Sequence, residues 1–126
     1  MKFQPDRTDS LSITAYTASW IAINGVRYSH NLLISSNGLI QSWPGQYVAD
    51  IQTIDLDLIA PTEPEIVLLG CGKKQLFTSA ALVGAFIERR TGLETMDTAA
   101  ACRTFNILAA EGRRVAAILL LEDTVC

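Results

Sequence analysis

Apolar residues come in short runs through the first half of the chain. Through the second half they form alternating strand-length and helix-length segments. Residues 1–12 are polar and predict a loose N-terminal segment. From Ala18 to Trp43 the pattern is that of β-structure. Trp20-Ile21-Ala22-Ile23 predicts a short strand, and Asn24-Gly25 supplies the tolerance of positive φ that a tight hairpin turn needs. Val26 to Ser35 predicts the returning strand, Ser36-Asn37-Gly38 a second turn, and Leu39 to Trp43 a further strand closed by Pro44-Gly45. Over Ile51 to Ile59 acids alternate with apolar residues, which suits a short helical turn leading to Pro61, although a strand fits the same pattern.

The signals sharpen after Pro64. Glu65 to Leu69 predicts a buried strand that ends at Gly70-Cys71-Gly72, with a loop through Phe77 and Ser79 as the N-cap of a helix reaching about Arg90. Leu82, Val83, Phe86 and Ile87 share one face of that helix. Arg89 and Arg90 suit its negative end, and Gly92 suits the left-handed position after it. Leu93 to Met96 predicts a short strand, Asp97 or Thr98 the cap of a second helix ending at Gly112, and Val115 to Leu121 a last strand buried on both faces. Strands joined through helices pair in parallel with right-handed crossovers. The prediction is an α/β fold with a mixed β-sheet, N-terminal antiparallel hairpins preceding a βαβαβ parallel half.

Composition narrows this to one domain spanning residues 1–126. At 126 residues, with 49% apolar and 18% charged, a division would leave two pieces too small for good cores. Neither a repeat nor a linker interrupts the chain. A net charge of −3, from ten Lys and Arg against thirteen acids, speaks against nucleic acid, which needs a basic stripe. The longest apolar run, Val115 to Leu121, falls far short of the ~20 residues of a membrane span, so no membrane insertion is expected. The polar N-terminus lacks the features of a signal or transit peptide, and Cys71, Cys102 and Cys126 form no CxxC pair; reduced thiols in the cytoplasm are expected.

The most chemical-looking stretch is Gly70-Cys71-Gly72-Lys73-Lys74, at the carboxyl end of a parallel strand where open α/β sheets bind ligands. It matches neither the Rossmann nor the Walker spacing. A helix N-terminus offers an anion ~0.3–1 kcal/mol, whereas even millimolar affinity needs ~4 kcal/mol, so lysines and loop amides would have to converge. The plain alternative is a tight turn with solvated lysines. Asp97 and Thr98, at the end of the next strand, share that edge if the strands are neighbours, and capping explains both equally well. On the following helix Ala99, Arg103, Asn106 and Ala110 form a stripe that a partner backbone or a ligand could approach, or else a solvated face. Glu111 and Arg113 at the helix exit can pair with each other or with a neighbouring loop.

Other constellations are weaker. Cys71 beside lysines could be a nucleophile, but the one histidine, His30, lies far off in sequence with no family signature around it. Cys102 among alanines reads as packing. No ligand set for a metal and no cofactor motif is present. Asp55, Asp57, Glu63 and Glu65 read as a solvated edge, and Trp20, Trp43 and Tyr47 as core aromatics or an exposed strip.

Three stretches together resemble a known family: Leu68 to Gly72, Glu94 to Leu108 with its Met96-Asp97-Thr98 and Arg103-Thr104-Phe105-Asn106 runs, and Glu111 to Ala117. This is a family of small bacterial, archaeal and mitochondrial proteins long labelled a domain of unknown function, whose mitochondrial member is the third assembly factor of respiratory complex I. The chain resembles a bacterial member. The resemblance implies a compact α/β domain with a mixed sheet, a protein partner in respiratory-complex assembly and no established catalysis. It departs from the usual Gly-Thr-Gly turn in having Cys71 at the centre, which weakens any role that needs a hydroxyl there. Three readings follow: a non-enzymatic interaction protein, an anion-binding protein or unrecognised enzyme at the Gly70-Cys71-Gly72 and Asp97 edge, and a homodimer with a structural role.

Overall fold

The structure, a computed structural model, describes residues 11–45, 51–52, 55–74 and 78–122. Five short strands come first: β1 (Ile13–Tyr16), β2 (Ile21–Ile23), β3 (Val26–Tyr28), β4 (Leu32–Ser35) and β5 (Ile40–Ser42). A single-turn helix α1 (Leu56–Ile59) runs into a tighter turn over Ala60–Thr62, so the helical alternative holds for this part of the acid-rich segment. The remainder is β6 (Ile66–Cys71), α2 (Ala80–Glu88), β7 (Gly92–Met96), α3 (Thr98–Ala110) and β8 (Val115–Leu120).

The expected mixed sheet with its parallel C-terminal half is present, and the first three strands form a second sheet of their own. An antiparallel sheet has the order β1-β2-β3, and a mixed sheet the order β5-β4-β8-β6-β7. In the mixed sheet β6 pairs in parallel with both β7 and β8, while β4 joins β8 antiparallel. The stretch from Val26 to Ser35, expected as one strand, is divided between the sheets at Ser29-His30-Asn31. Asn31 is the physical reason. Its buried amide accepts from the Leu121 N–H at 2.7 Å and donates to the Gly45 carbonyl at 2.9 Å, fixing the chain where it changes sheet. At the hairpin, Asn24 and Gly25 both take positive φ (51° and 85°), the backbone of a tight two-residue turn.

Each face of the mixed sheet carries its own core, as the two-residue period of a strand requires. Leu32, Ile34, Leu68, Ala117 and Leu119 face α3 and the antiparallel sheet, packing around Ala101, Cys102 and the fully buried Phe105. Leu33, Val67, Leu69, Ala116, Ile118 and Leu120 face α1 and α2, packing on Leu56, Leu82, Phe86 and Trp43. The chain steps from β6 to β7 past α2, then back across the sheet to β8 past α3 on the opposite face. A reversal of direction with a change of face keeps both connections the same hand. Of the N-terminal stretch expected to be loose, Leu11 and Ser12 are described: Leu11 is buried and Ser12 accepts from the Asn24 N–H.

Both long helices begin as their sequences predict. The Ser79 side chain accepts from the Leu82 N–H and that of Asp97 from the Ala100 N–H. The end of α2 differs from expectation. Its left-handed position is occupied by Arg90 (φ 56°), not Gly92, which opens β7. The shared face expected on α2 also divides, since Leu82 and Phe86 are buried whereas Val83 and Ile87 are exposed.

Candidate functional site

Because β6 and β7 are parallel neighbours whose outgoing connections leave to opposite faces, their carboxyl ends mark the edge where sheets of this kind commonly receive ligands. The glycine turn and the cap of α3 do meet there. A Cβ on Gly70 would lie 3.1 Å from both Cα and Oγ1 of Thr98 and 3.2 Å from Cβ of Ala101, so the absence of a side chain lets α3 sit against β6. Gly72 has φ 84°, and its peptide groups close on Thr98 from both sides. Its N–H donates to Thr98 Oγ1 at 2.8 Å, and its carbonyl accepts from the Thr98 N–H at 2.8 Å. The same hydroxyl donates to the Leu120 carbonyl at 2.6 Å, which ties the ends of β6 and β8 to the start of α3.

These bonds occupy the groups an anion would need. The Gly72 amide is spent on Thr98, and the Ala100 amide on the Asp97 carboxylate at 2.7 Å. Lys73 and Lys74 are exposed, and the loop beyond them at residues 75–77 lies outside the described residues. Cys71 is buried against the opposite core, with Sγ directed at the Leu69 carbonyl of its own strand at 3.5 Å. His30 is exposed, and β8 stands between the strand of Cys71 and the strand that follows His30. Cys102 is buried on the α3 face, where desolvation pushes its thiol up to about 12 against the pull of the adjacent Arg103. No metal-ligating cluster of His, Cys, Asp or Glu occurs among the described residues.

Along α3 the stripe of small and polar residues receives a backbone, and it is the chain's own. Ile13 donates its N–H to Asn106 Oδ1, and Asn106 Nδ2 donates to the Ile13 carbonyl, both at 2.8 Å. One side-chain amide thereby imitates a strand neighbour and hangs the antiparallel sheet on the helix. Arg103, one turn earlier and exposed, donates to the Tyr16 hydroxyl at 3.1 Å. The strand that supplies both contacts, β1, has a single buried position, Ile13, so its apolar signal is faint. The alternation of Leu11 with Ile13 is the pattern that points to it.

At the opposite, amino edge of the parallel strands lies a cleft of about 550 Å³. Its floor includes Leu56, Ile59 and Phe86, and its rim carries Glu63, Glu65, Arg89, Arg90 and Arg114. Of the acids read from sequence as a solvated edge, Asp57 and Glu63 are exposed, and Asp57 and Glu65 pair with arginines. Arg113 hydrogen-bonds Glu65, Arg114 lies 3.8 Å from it, and the two guanidiniums hold that carboxyl below its ordinary range, Arg113 chiefly. Arg113 thus pairs with the loop before β6, the second of the two alternatives for that residue. Asp57 lies 3.6 Å from Arg89. Of the aromatics, Trp43 is core, Trp20 is half-buried under the Arg27 guanidinium at 4.1 Å, and Tyr47 lies outside the described residues.

Comparison with known proteins adds the lineage. The family model described as "Protein of unknown function (DUF498/DUF598)" matches residues 13–120. A "13 kDa major membrane protein" of Francisella tularensis is 32% identical over 108 residues, covering 83% of this chain and 86% of that protein. The human "NADH dehydrogenase [ubiquinone] 1 alpha subcomplex assembly factor 3" is 29% identical over 119 residues, 93% of this chain. The match spans only 64% of the human protein's length. The crystal structure of a Bordetella parapertussis protein superposes with a TM-score of 0.83 at 41% identity, covering 89% of this chain and 96% of that one. Among the described residues no helix is long and apolar enough to cross a membrane.

Proposed function

We propose that this chain, which belongs to the DUF498/DUF598 family of proteins of unknown function, acts without catalysis as an interaction protein in the assembly of a respiratory NADH dehydrogenase. The carrying observation is its likeness, over 93% of its length, to a protein named as an assembly factor of that enzyme. The geometry of the carboxyl edge supports a non-catalytic role. The groups that could have formed a reactive constellation there are consumed in joining Gly72, Thr98, Asp97 and Leu120.

The contact surface in this reading is the outer side of α3 with the edge of β1. Arg103, Tyr16 and Ile107 are exposed there, the last two at 38% and 59%. Arginine and tyrosine are the residue types that dominate binding energy at protein interfaces, and the Tyr16 hydroxyl holds the Arg103 guanidinium in place before any partner arrives. The partner is a subunit or intermediate of the complex, met in the cytoplasm.

Deleting the gene in its source cells tests the reading. Assembled membrane NADH dehydrogenase should fall while its subunits are still synthesised, and re-expression should restore it. An unchanged amount of assembled enzyme in the deletion strain would refute the assembly role.

A further inference from the structure

The geometry points to a second site: we infer that the cleft at the amino edge of the parallel strands binds a small carboxylate with an apolar body. Its carboxylate would meet Arg90 and Arg114, and its hydrocarbon would lie on Ala60 and Pro64, over the exposed edges of Phe86, Leu56 and Ile59. A volume of about 550 Å³ is that of a small-molecule site, and its lining is shared about equally between apolar residues and charged ones, which suits a ligand with one apolar part and one charged part.

The backbone supplies an independent observation. Among the described residues three non-glycines have positive φ: Asn24, Glu63 and Arg90. Asn24 belongs to the hairpin turn, where asparagine is at home. The other two both line this cleft. The end of α3 shows what is usual: Gly112 N–H donates to the Ala109 carbonyl and Arg113 N–H to the Leu108 carbonyl, with glycine at the left-handed residue. At the end of α2 Arg90 and Thr91 make the same two bonds to Ile87 and Phe86, with arginine in glycine's place. Left-handed conformations of non-glycine residues collect where a side chain is needed for function. Among the described residues Arg90 has neither an ion pair nor a side-chain hydrogen bond. Arg114 is already oriented by its bond to the Glu63 carbonyl at 2.9 Å.

The rim's charge selects the ligand class. Arg89, Arg90 and Arg114 against Glu63 and Glu65 leave one net positive charge, enough for one carboxylate, while the two acids oppose a polyphosphate. The site shares no residue with the α3 face, so it stands or falls apart from the assembly role.

A titration of the full chain followed by amide NMR tests it, with 3-phenylpropionate as the probe, 3-phenylpropanol as its neutral counterpart and ATP as the polyphosphate. We expect saturable shifts at Phe86, Arg90 and Thr91 with 3-phenylpropionate, and binding at least roughly tenfold weaker for the alcohol. Arg90→Gly, which suits the backbone and should melt no lower than the parent, should lose the probe by a similar factor. No shift at these amides, equal binding of acid and alcohol, tighter binding of ATP, or full binding by Arg90→Gly would each overturn the inference.

Discussion

Replacing Thr98 with valine removes one oxygen and keeps the shape, so it asks whether that hydroxyl holds the fold or stands ready for a ligand. In the structure Oγ1 accepts from the Gly72 N–H and donates to the Leu120 carbonyl, and Thr98 is buried. Valine leaves both groups without that partner, at about 1–3 kcal/mol for each buried orphan. It also sets a methyl group where an oxygen sat 2.6 Å from a carbonyl oxygen, well inside the separation a carbon tolerates, so the start of α3 must move outward. Together these predict a loss of about 3 kcal/mol, or roughly 10–15 °C in melting temperature for a domain of this size. Thr98→Ser keeps both bonds, loses one methyl and should cost about 1 kcal/mol. Urea unfolding with both variants is the assay, compared at unchanged m-value. If valine and serine agreed within about 0.5 kcal/mol, the hydroxyl would not be holding β6, β8 and α3 together, and a ligand role at this rim would reopen.

Two further outcomes follow from the α3 face. Asn106→Ala strips both bonds from the Ile13 peptide groups, which are only partly buried, and should cost about 2 kcal/mol with faster amide exchange at Ile13; unchanged exchange there would mean β1 is held by other contacts. The Cys102 thiol, raised to about 12 by burial, makes the native state the better proton binder, so its contribution is complete below the ordinary value near 9 and is lost as pH climbs from there toward 12. Stability should fall across that window in the parent and less in Cys102→Ala, and iodoacetamide at pH 8 should label Cys102 only at the rate of unfolding; rapid labelling of folded protein would contradict the burial.

The second half of the chain was legible because each element there carries its own period and its own punctuation. Ser79 and Asp97 cap where they were expected to, and β6 and β8 are apolar at every position facing a core. The first half was harder because its strands have three or four residues, too few for a period to establish itself. The run from Val26 to Ser35 hid a change of sheet whose cause is one side chain, Asn31, bonded to Leu121 ninety positions away. The end of α2 was misplaced by two residues because Gly92 looks like a helix stop, whereas the residue in the left-handed conformation is an arginine that no propensity would choose.

Site geometry was legible in part for the same reason. Sequence put Gly70, Gly72, Asp97 and Thr98 on one rim, since consecutive parallel strands send their loops to one edge, and they meet there. Whether those amides stay open depends on Thr98 reaching residues 22 and 26 positions away, which spacing alone does not reveal. The amino-edge cleft was missed altogether. Its lining residues come from three stretches well separated in sequence: α1 with the approach to β6, the end of α2, and the approach to β8.

The most direct trial of contact through α3 is quantitative co-purification of NADH dehydrogenase subunits with the tagged chain from its source cells, comparing the parent with Arg103→Glu. Arg103 is exposed and its hydrogen bond to Tyr16 joins two surface groups, so reversing its charge should leave the melting temperature within a degree or two. Subunit recovery should nonetheless drop about tenfold, the consequence of losing a central arginine at an interface. Equal recovery by a normally folded Arg103→Glu protein would contradict the assignment of that face.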